Sequence, residues 1–225
     1  MAARRAARAR ARAPARPTHF LCIPLLRRQL AHNVAAFRAD VTNINSAAPL
    51  PPSAVRPPGT MHITLGVMNL AEPARLERAL ELLRQQQRQR QRQSRLCLTL
   101  KGLRAMQDPA ATGVLYAPPA DVEGQAAGGL RAYCEAVRRA FIEEGLMEPD
   151  GRPFVLHATV VNTAHVKRGR GERLMLDARG LLEEYAEHVW LDRHEVRSLA
   201  ICRMGAQPKG TEGDEAYEVV EEVRV

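Results

Sequence analysis

The tetrapeptides HITL (62–65) and HATV (157–160) constrain this chain more than any other feature. Each opens on His, carries Thr two residues later and lies in an aliphatic run, TMHITLGVMNL and FVLHATVVNT. In a β-strand, residues i and i+2 share a face. His62 and Thr64 therefore stand on one side of their strand, with Met61, Ile63 and Leu65 on the other. His157 and Thr159 repeat the display opposite Leu156, Ala158 and Val160. The fold must supply two strands that each pack an aliphatic face on a helix and present an imidazole with a hydroxyl on the other. Seven His and nine Thr in 225 residues give about 0.3 such words by chance. Two, both inside alternating strands, are a motif pair.

The rest of the chain places these strands in an α+β order. THFLCIP (18–24) reads as a first strand stopped by Pro24. A helix follows, with Leu30, Val34, Phe37, Val41 and Ile44 at steps of three and four. The Pro-rich stretch 48–60 is expected to be an extended surface loop leading into a strand at 61–70. Pro73 suits a first helical turn, with Leu76, Leu80 and Leu83 as the buried stripe. Strands are expected at 95–103 and 112–119. The helix over 128–145 has Leu130, Cys134, Val137 and Phe141 on one side and Gly145 at its end. After the second motif strand (153–163) come a basic loop and a short helix with Asp177 as N-cap and Trp190 packing at its end. Two closing strands lie in 195–204 and 216–225. Each half thus has a helix feeding a His-x-Thr strand. This predicts two pseudo-symmetric lobes with antiparallel sheets flanking a central cleft and helices on the outer faces. The chain divides into a disordered Arg/Ala-rich tail (1–16) and a single domain (17–225).

The net charge of +8 suggests nucleic acid, but its distribution matters more. Residues 1–17 hold six Arg and 84–95 (RQQQRQRQRQSR) hold five, with no acid in either; the remainder is mildly acidic. The two segments read as a solvated tail and a solvated helix extension, or as non-specific contacts to phosphate backbones. No run of apolar residues is long enough to span a bilayer, and no membrane partner is expected. Cys22, Cys97, Cys134 and Cys202 form no C-x-x-C pair and read as reduced thiols of an intracellular protein, nuclear or cytoplasmic. The Arg-rich start leaves a mitochondrial transit peptide open.

Two imidazoles and two hydroxyls facing one cleft suit phosphodiester chemistry. One His takes a proton from the attacking oxygen and the other gives one to the leaving oxygen. The threonines donate hydrogen bonds to the non-bridging oxygens as charge builds there. Residue pattern alone does not divide the acid and base roles. Two histidines without a carboxylate nearby make a poor metal site, so neither metal nor cofactor is expected.

These words, together with PTHFLCIPL, LKGLRAMQDPAATGVLYAPP and LAICRMG, give the chain from Pro17 to Val225 a resemblance to the two-histidine (LigT-like) phosphoesterase superfamily. Within it, the chain resembles the A-kinase anchoring protein 7-like phosphoesterase domain, as also found in activating signal cointegrator 1 complex subunit 1. The resemblance implies a catalytic quartet of His62, Thr64, His157 and Thr159. It implies substrates that are 2′,3′-cyclic phosphates or RNA and nucleotide ends, and membership of a transcription-coactivator-type complex. Only the Arg-rich stretch stands before Pro17, so no KH domain like that of the cointegrator subunit is expected.

Phe20 and Tyr116, on strands near the motifs, are candidates for stacking on a base, against simple core packing. Lys167, Arg168 and Arg170, in the loop after the second motif, are candidates for a substrate phosphate, against a solvated loop. Two other functions compete with hydrolysis: a non-catalytic nucleotide-binding module using the same cleft, and non-specific nucleic-acid binding through the Arg segments.

Overall fold

The computed structural model describes residues 16–45, 49–90, 95–120, 122, 128–149, 151, 153–167, 169, 172–210 and 214–225. The expected tail thus lies outside the described residues except for Arg16, as do Arg168, Arg170 and residues 91–94 of the Gln/Arg stretch. In chain order the elements are β1 (His19–Pro24), α1 (Arg28–Val41), β2 (His62–Met68), α2 (Pro73–Arg90), β3 (Cys97–Lys101), β4 (Arg104–Ala105), β5 (Val114–Ala117), β6 (Pro119–Ala120), α3 (Gly129–Glu143), β7 (Ala158–Asn162), α4 (Arg179–Glu184), β8 (Val189–Glu195), β9 (Ser198–Arg203), β10 (Gln207–Pro208), β11 (Glu215–Ala216) and β12 (Val219–Arg224).

The α+β reading holds. A seven-stranded antiparallel sheet runs β12-β9-β1-β2-β7-β5-β4, and a three-stranded sheet runs β6-β3-β8. The large sheet has two halves, β12-β9-β1-β2 and β7-β5-β4, each with its motif strand at the inner edge. The halves meet where Ile63 of β2 pairs with Ala158 of β7. Helix α3 packs on β2, while α2 packs on β9 and β12. They bury the aliphatic side: Leu21 and Ile23 from β1, Ile63 and Leu65 from β2, and Cys134, Val137 and Phe141 from α3 share one core. Period-2 and period-3.6 stripes interlock here as the sequence requires. Alternation puts Phe20 and Cys22 on the opposite face, in a small cluster with Ala200 and Cys202.

Several expectations need correction. Helix α1 buries Leu30, Val34, Phe37 and Val41, but Ile44 lies beyond its end and is exposed. Thr42 ends the helix, both its N–H (3.1 Å) and its Oγ1 (2.7 Å) donating to the Arg38 carbonyl. The Pro-rich stretch is not a surface loop. Its prolines set the fixed φ of two 3-10 turns, Pro52–Ala54 and Pro58–Thr60. Between them Val55 bridges Val161, and the Arg56 N–H donates to the Val160 carbonyl at 2.8 Å. The stretch therefore extends the seam between the sheet halves, with Ala54, Val55 and Arg56 buried. Strand β8 falls in a region read as the end of a helix. Trp190 belongs to it, fully buried, with its Nε1 donating to the Gly102 carbonyl at 2.8 Å. The second motif strand begins one residue after His157 rather than at Pro153. Asp177 stands one place before the cap of α4, its carboxylate accepting the Arg179 N–H at 3.2 Å.

Candidate active site

The register at the seam decides the site. Strands β2 and β7 are antiparallel and Ile63 pairs with Ala158. Continued one residue each way, the register sets His62 beside Thr159 and Thr64 beside His157. Ile63 and Ala158 are both fully buried on the helix side, so alternation turns all four motif side chains to the other face. The two words are crossed, each imidazole flanked by the hydroxyl of the other word.

Both rings are held alike. Nδ1 of His62 lies 2.7 Å from the Thr60 carbonyl, and Nδ1 of His157 lies 2.8 Å from the Val155 carbonyl. A carbonyl only accepts, so each Nδ1 carries the proton and each neutral ring keeps its lone pair on Nε2. The local backbone thus fixes the tautomer from two residues upstream, in both copies. Nε2 of His62 accepts from Thr64 Oγ1 at 2.9 Å.

Burial pushes the His62 imidazolium down to about 4. Its hydrogen bond to the Thr60 carbonyl opposes the drop, while the nearby His157 and Arg56 add to it. His62 is therefore neutral at physiological pH, with a basic nitrogen on offer.

Two cavities flank the motifs. One, of about 210 Å³, is lined by Phe20, Arg56, His62, Thr64, Thr159 and Tyr217, among others. Its neighbour, of about 300 Å³, is lined by Thr64, Val67, Arg138, Phe154 and His157. Thr64 and Val67 belong to both, so the quartet spans one divided cleft with Thr64 on the divide. Phe20 is buried on its floor, its ring 4.7 Å from that of His62 and 4.8 Å from that of Tyr217. Tyr116 pairs with Thr159 across β5 and β7 and meets the His157 ring edge-on at 5.5 Å, on the same sheet face but not among the residues lining either cavity. Lys167 is exposed at the start of its loop and is not among the residues lining either cavity.

Three residues of the site were not singled out in the sequence. Arg56 is buried against the first cavity. Its Nη2 has no hydrogen-bond partner, and the nearest carboxylate, Glu215, is 3.6 Å away. A buried cation without a hydrogen-bonded anion is costly unless a ligand completes it. The signal was an Arg between proline pairs six residues before the motif, hidden by reading the stretch as surface. Tyr217 reaches over His62 edge-on at 5.3 Å; it lies in a segment that read only as strand. His165 lines the same cavity, and burial and Arg56 lower its affinity for a proton against the pull of Glu215. Among the described residues, no three His, Cys, Asp or Glu side chains gather as a metal site, and no helix is long and apolar enough to cross a membrane.

Residues 17–225 match the family described as the AKAP7 2′5′ RNA ligase-like domain. The arrangement defines a two-histidine, LigT-like phosphoesterase fold, and the chain belongs to that AKAP7-type family. A Schizosaccharomyces pombe protein of uncharacterised function is 24% identical over 204 residues, covering 88% of this chain and 91% of that protein. Among solved structures, Escherichia coli LigT complexed with 3′-AMP superposes with a TM-score of 0.56 at 18% identity, over 93% of this chain and 98% of LigT. A Thermus thermophilus protein superposes with a TM-score of 0.54 at 18% identity, over 92% and 97%. LigT is also known in complex with NADP+, with a TM-score of 0.52 at 20% identity over 93% and 98%.

Proposed function

We propose that the chain is a metal-independent phosphodiesterase acting on 2′,3′-cyclic phosphates or on RNA and nucleotide ends. The crossed placement of two His-x-Thr words on one sheet face supports this most directly. His62, neutral and with Nε2 unprotonated, removes a proton from a water as that water attacks phosphorus. As the new P–O bond forms, the bond to the ribose oxygen breaks. His157, entering as the imidazolium, gives the departing oxygen the proton on its Nε2. The product leaves with one added water, and the proton on His62 returns through solvent to His157. Thr64 turns from His62 to donate to one non-bridging oxygen and Thr159 donates to another, meeting charge that grows in the transition state. Arg56 supplies the fixed positive charge beside them. Phe20 and Tyr217 form the wall against which a ribose or base rests, and Tyr116 flanks the ring of His157.

The LigT complexes with 3′-AMP and NADP+ support a nucleotide as the ligand class. The test is turnover of 2′,3′-cyclic UMP by the wild-type chain beside His62→Ala and His157→Ala. General acid and base catalysis contribute about 10² to 10⁴ each, so each variant should lose at least about a hundredfold in kcat. Equal rates in all three end the proposal. Mononucleotide binding by calorimetry with no turnover in the wild type would instead make the cleft a binding module. The same chemistry fits a nuclear or cytoplasmic setting, where RNA ends are found.

A further inference from the structure

Away from the histidines, a second concavity of about 600 Å³ opens between the start of α1 and the strand β8. Its lining includes Arg27, Arg28, Arg95, Arg193 and Arg197 around His194, against two carboxylates, Asp192 and Glu195. Glu195 is shared by Arg95 (3.5 Å) and Arg197 (3.0 Å). Asp192 is engaged by the Thr99 hydroxyl, which donates to it at 3.2 Å. No carboxylate among the described residues pairs with Arg28. Arg27 Nε donates to the His194 ring at 3.2 Å. Burial, then Arg27 and Arg197, drive that ring down to about 4 against the pull of Glu195. The ring stays uncharged at neutral pH, so the positive charge here is that of the arginines alone.

The backbone is built to aim one of these cations. In the β3–β8 pairing Leu98 faces His194 and Leu100 faces Leu191, so Thr99 stands against both Asp192 and Arg193. This is a β-bulge, a device that redirects a side chain. Arg193 sits there at φ +42°, the one non-glycine among the described residues with positive φ, a conformation that a β-carbon disfavours. Thr99 Oγ1 locks it by accepting the Arg193 N–H at 3.0 Å.

The concavity does not stand alone. Arg27 and Arg28 also line an adjoining one with Lys209, Pro58 and Gly59. The same 3-10 turn, through Thr60, lines the cavity of His62. Arg27 and Arg28 are thus common to both concavities, with Lys209 and a single carboxylate, Asp214, in the adjoining one and Arg193 and Arg197 in the first. A single phosphate needs one cation; a row of guanidinium forks suits a chain of phosphates. The catalytic cavity, at about 210 Å³, has room for one strand's end and not for a duplex.

We propose that the arginine-lined concavity between α1 and β8 is a second phosphate-binding site, which holds the backbone of a single-stranded RNA whose end occupies the His62–His157 cleft. The inference rests on the phosphodiesterase reading for that end alone. The test uses the full chain and the triple variant Arg27→Ser, Arg193→Gly, Arg197→Ser. Glycine at 193 relaxes the backbone, so that exchange does not strain the fold. Binding of a labelled decauridylate by anisotropy should weaken at least tenfold. The slope of log K against log salt should fall by about 2, at roughly 0.7 per single-strand phosphate contact. Turnover of 2′,3′-cyclic UMP should be unchanged. Unaltered decauridylate affinity and slope overturn the proposal, and so does competition by a glutamate decamer as strong as that by RNA. Arginine-dependent RNA binding without any cyclic-UMP turnover by the wild type would uphold this site and remove the hydrolytic reading instead.

Discussion

Nε2 of His62 accepts the Thr64 hydroxyl at 2.9 Å, whereas Nε2 of His157 has no protein partner among the described residues. The asymmetry carries the division of roles proposed above. A ring whose Nε2 accepts a hydrogen bond is held neutral, and burial takes His62 down to about 4; in the proposed reaction this suits it to the part of base. The acid limb of kcat/KM on 2′,3′-cyclic UMP is therefore expected near pH 4, where His62 gains a proton. An acid limb near the ordinary histidine value of about 6.5, with none near 4, would show that His62 is not the group whose protonation limits the rate. Thr64→Val should lower kcat by about tenfold to a hundredfold with KM little changed, as expected for a donor used in the transition state.

The same ring links stability to pH. Unfolded, His62 takes a proton near 6.5; folded, it does so near 4. Between those values the unfolded chain binds more protons, so stability rises with pH. The contribution is complete above about 6.5 and is lost as pH falls towards 4. His19, His165, His188 and His194 are lowered as well, so the wild-type slope is composite. His62→Asn should flatten part of it, read as urea midpoints at pH 4.5, 6 and 7.5. An unchanged slope would mean that the ring is not enclosed as described.

Much of this site was legible because it rests on short-range rules. Alternation around His62 and His157 fixed which side chains share a face, and the helical stripes through Leu30–Val41 and Cys134–Phe141 fixed what covers the other face. Sequence order could not give the register, since nothing local to either strand says that Ile63 meets Ala158. Strand β8 escaped because its bulge at Asp192 and Arg193 breaks the period of two. Arg56 escaped because proline-rich composition reads as solvent-exposed, whereas here the prolines shape turns that carry a cation into the seam.

Gly66 sets how closely β2 approaches Met147, just after α3. A β-carbon there would stand 2.3 Å from Met147 Sδ and 2.9 Å from its Cε, and Met147 is buried. Gly66→Ala should cost about 1–3 kcal/mol through overpacking, measured by chemical denaturation. Combining it with Met147→Ala should recover part of the loss, a coupling that a double-mutant cycle isolates. Additive losses would show that the crowding is relieved elsewhere.

Arg56 makes opposite demands on stability and binding. Its guanidinium is buried, and its Nη2 lacks a hydrogen bond, with Glu215 at 3.6 Å. Replacing such a charge by an apolar side chain of similar length is often neutral or stabilising. Arg56→Met should therefore leave the thermal midpoint unchanged or raised. The same substitution removes a charge-assisted donor to substrate phosphate, worth about 1.5–3 kcal/mol, so affinity for 3′-UMP should fall about tenfold to a hundredfold by calorimetry. Arg56 also contributes to lowering His62, and its loss should move that ring's titration upward in NMR spectra. Arg56→Lys, a point charge without the planar fork, should restore the His62 titration more fully than the affinity. If Arg56→Met binds 3′-UMP like the wild type, the cation serves the seam between the sheet halves and not the substrate.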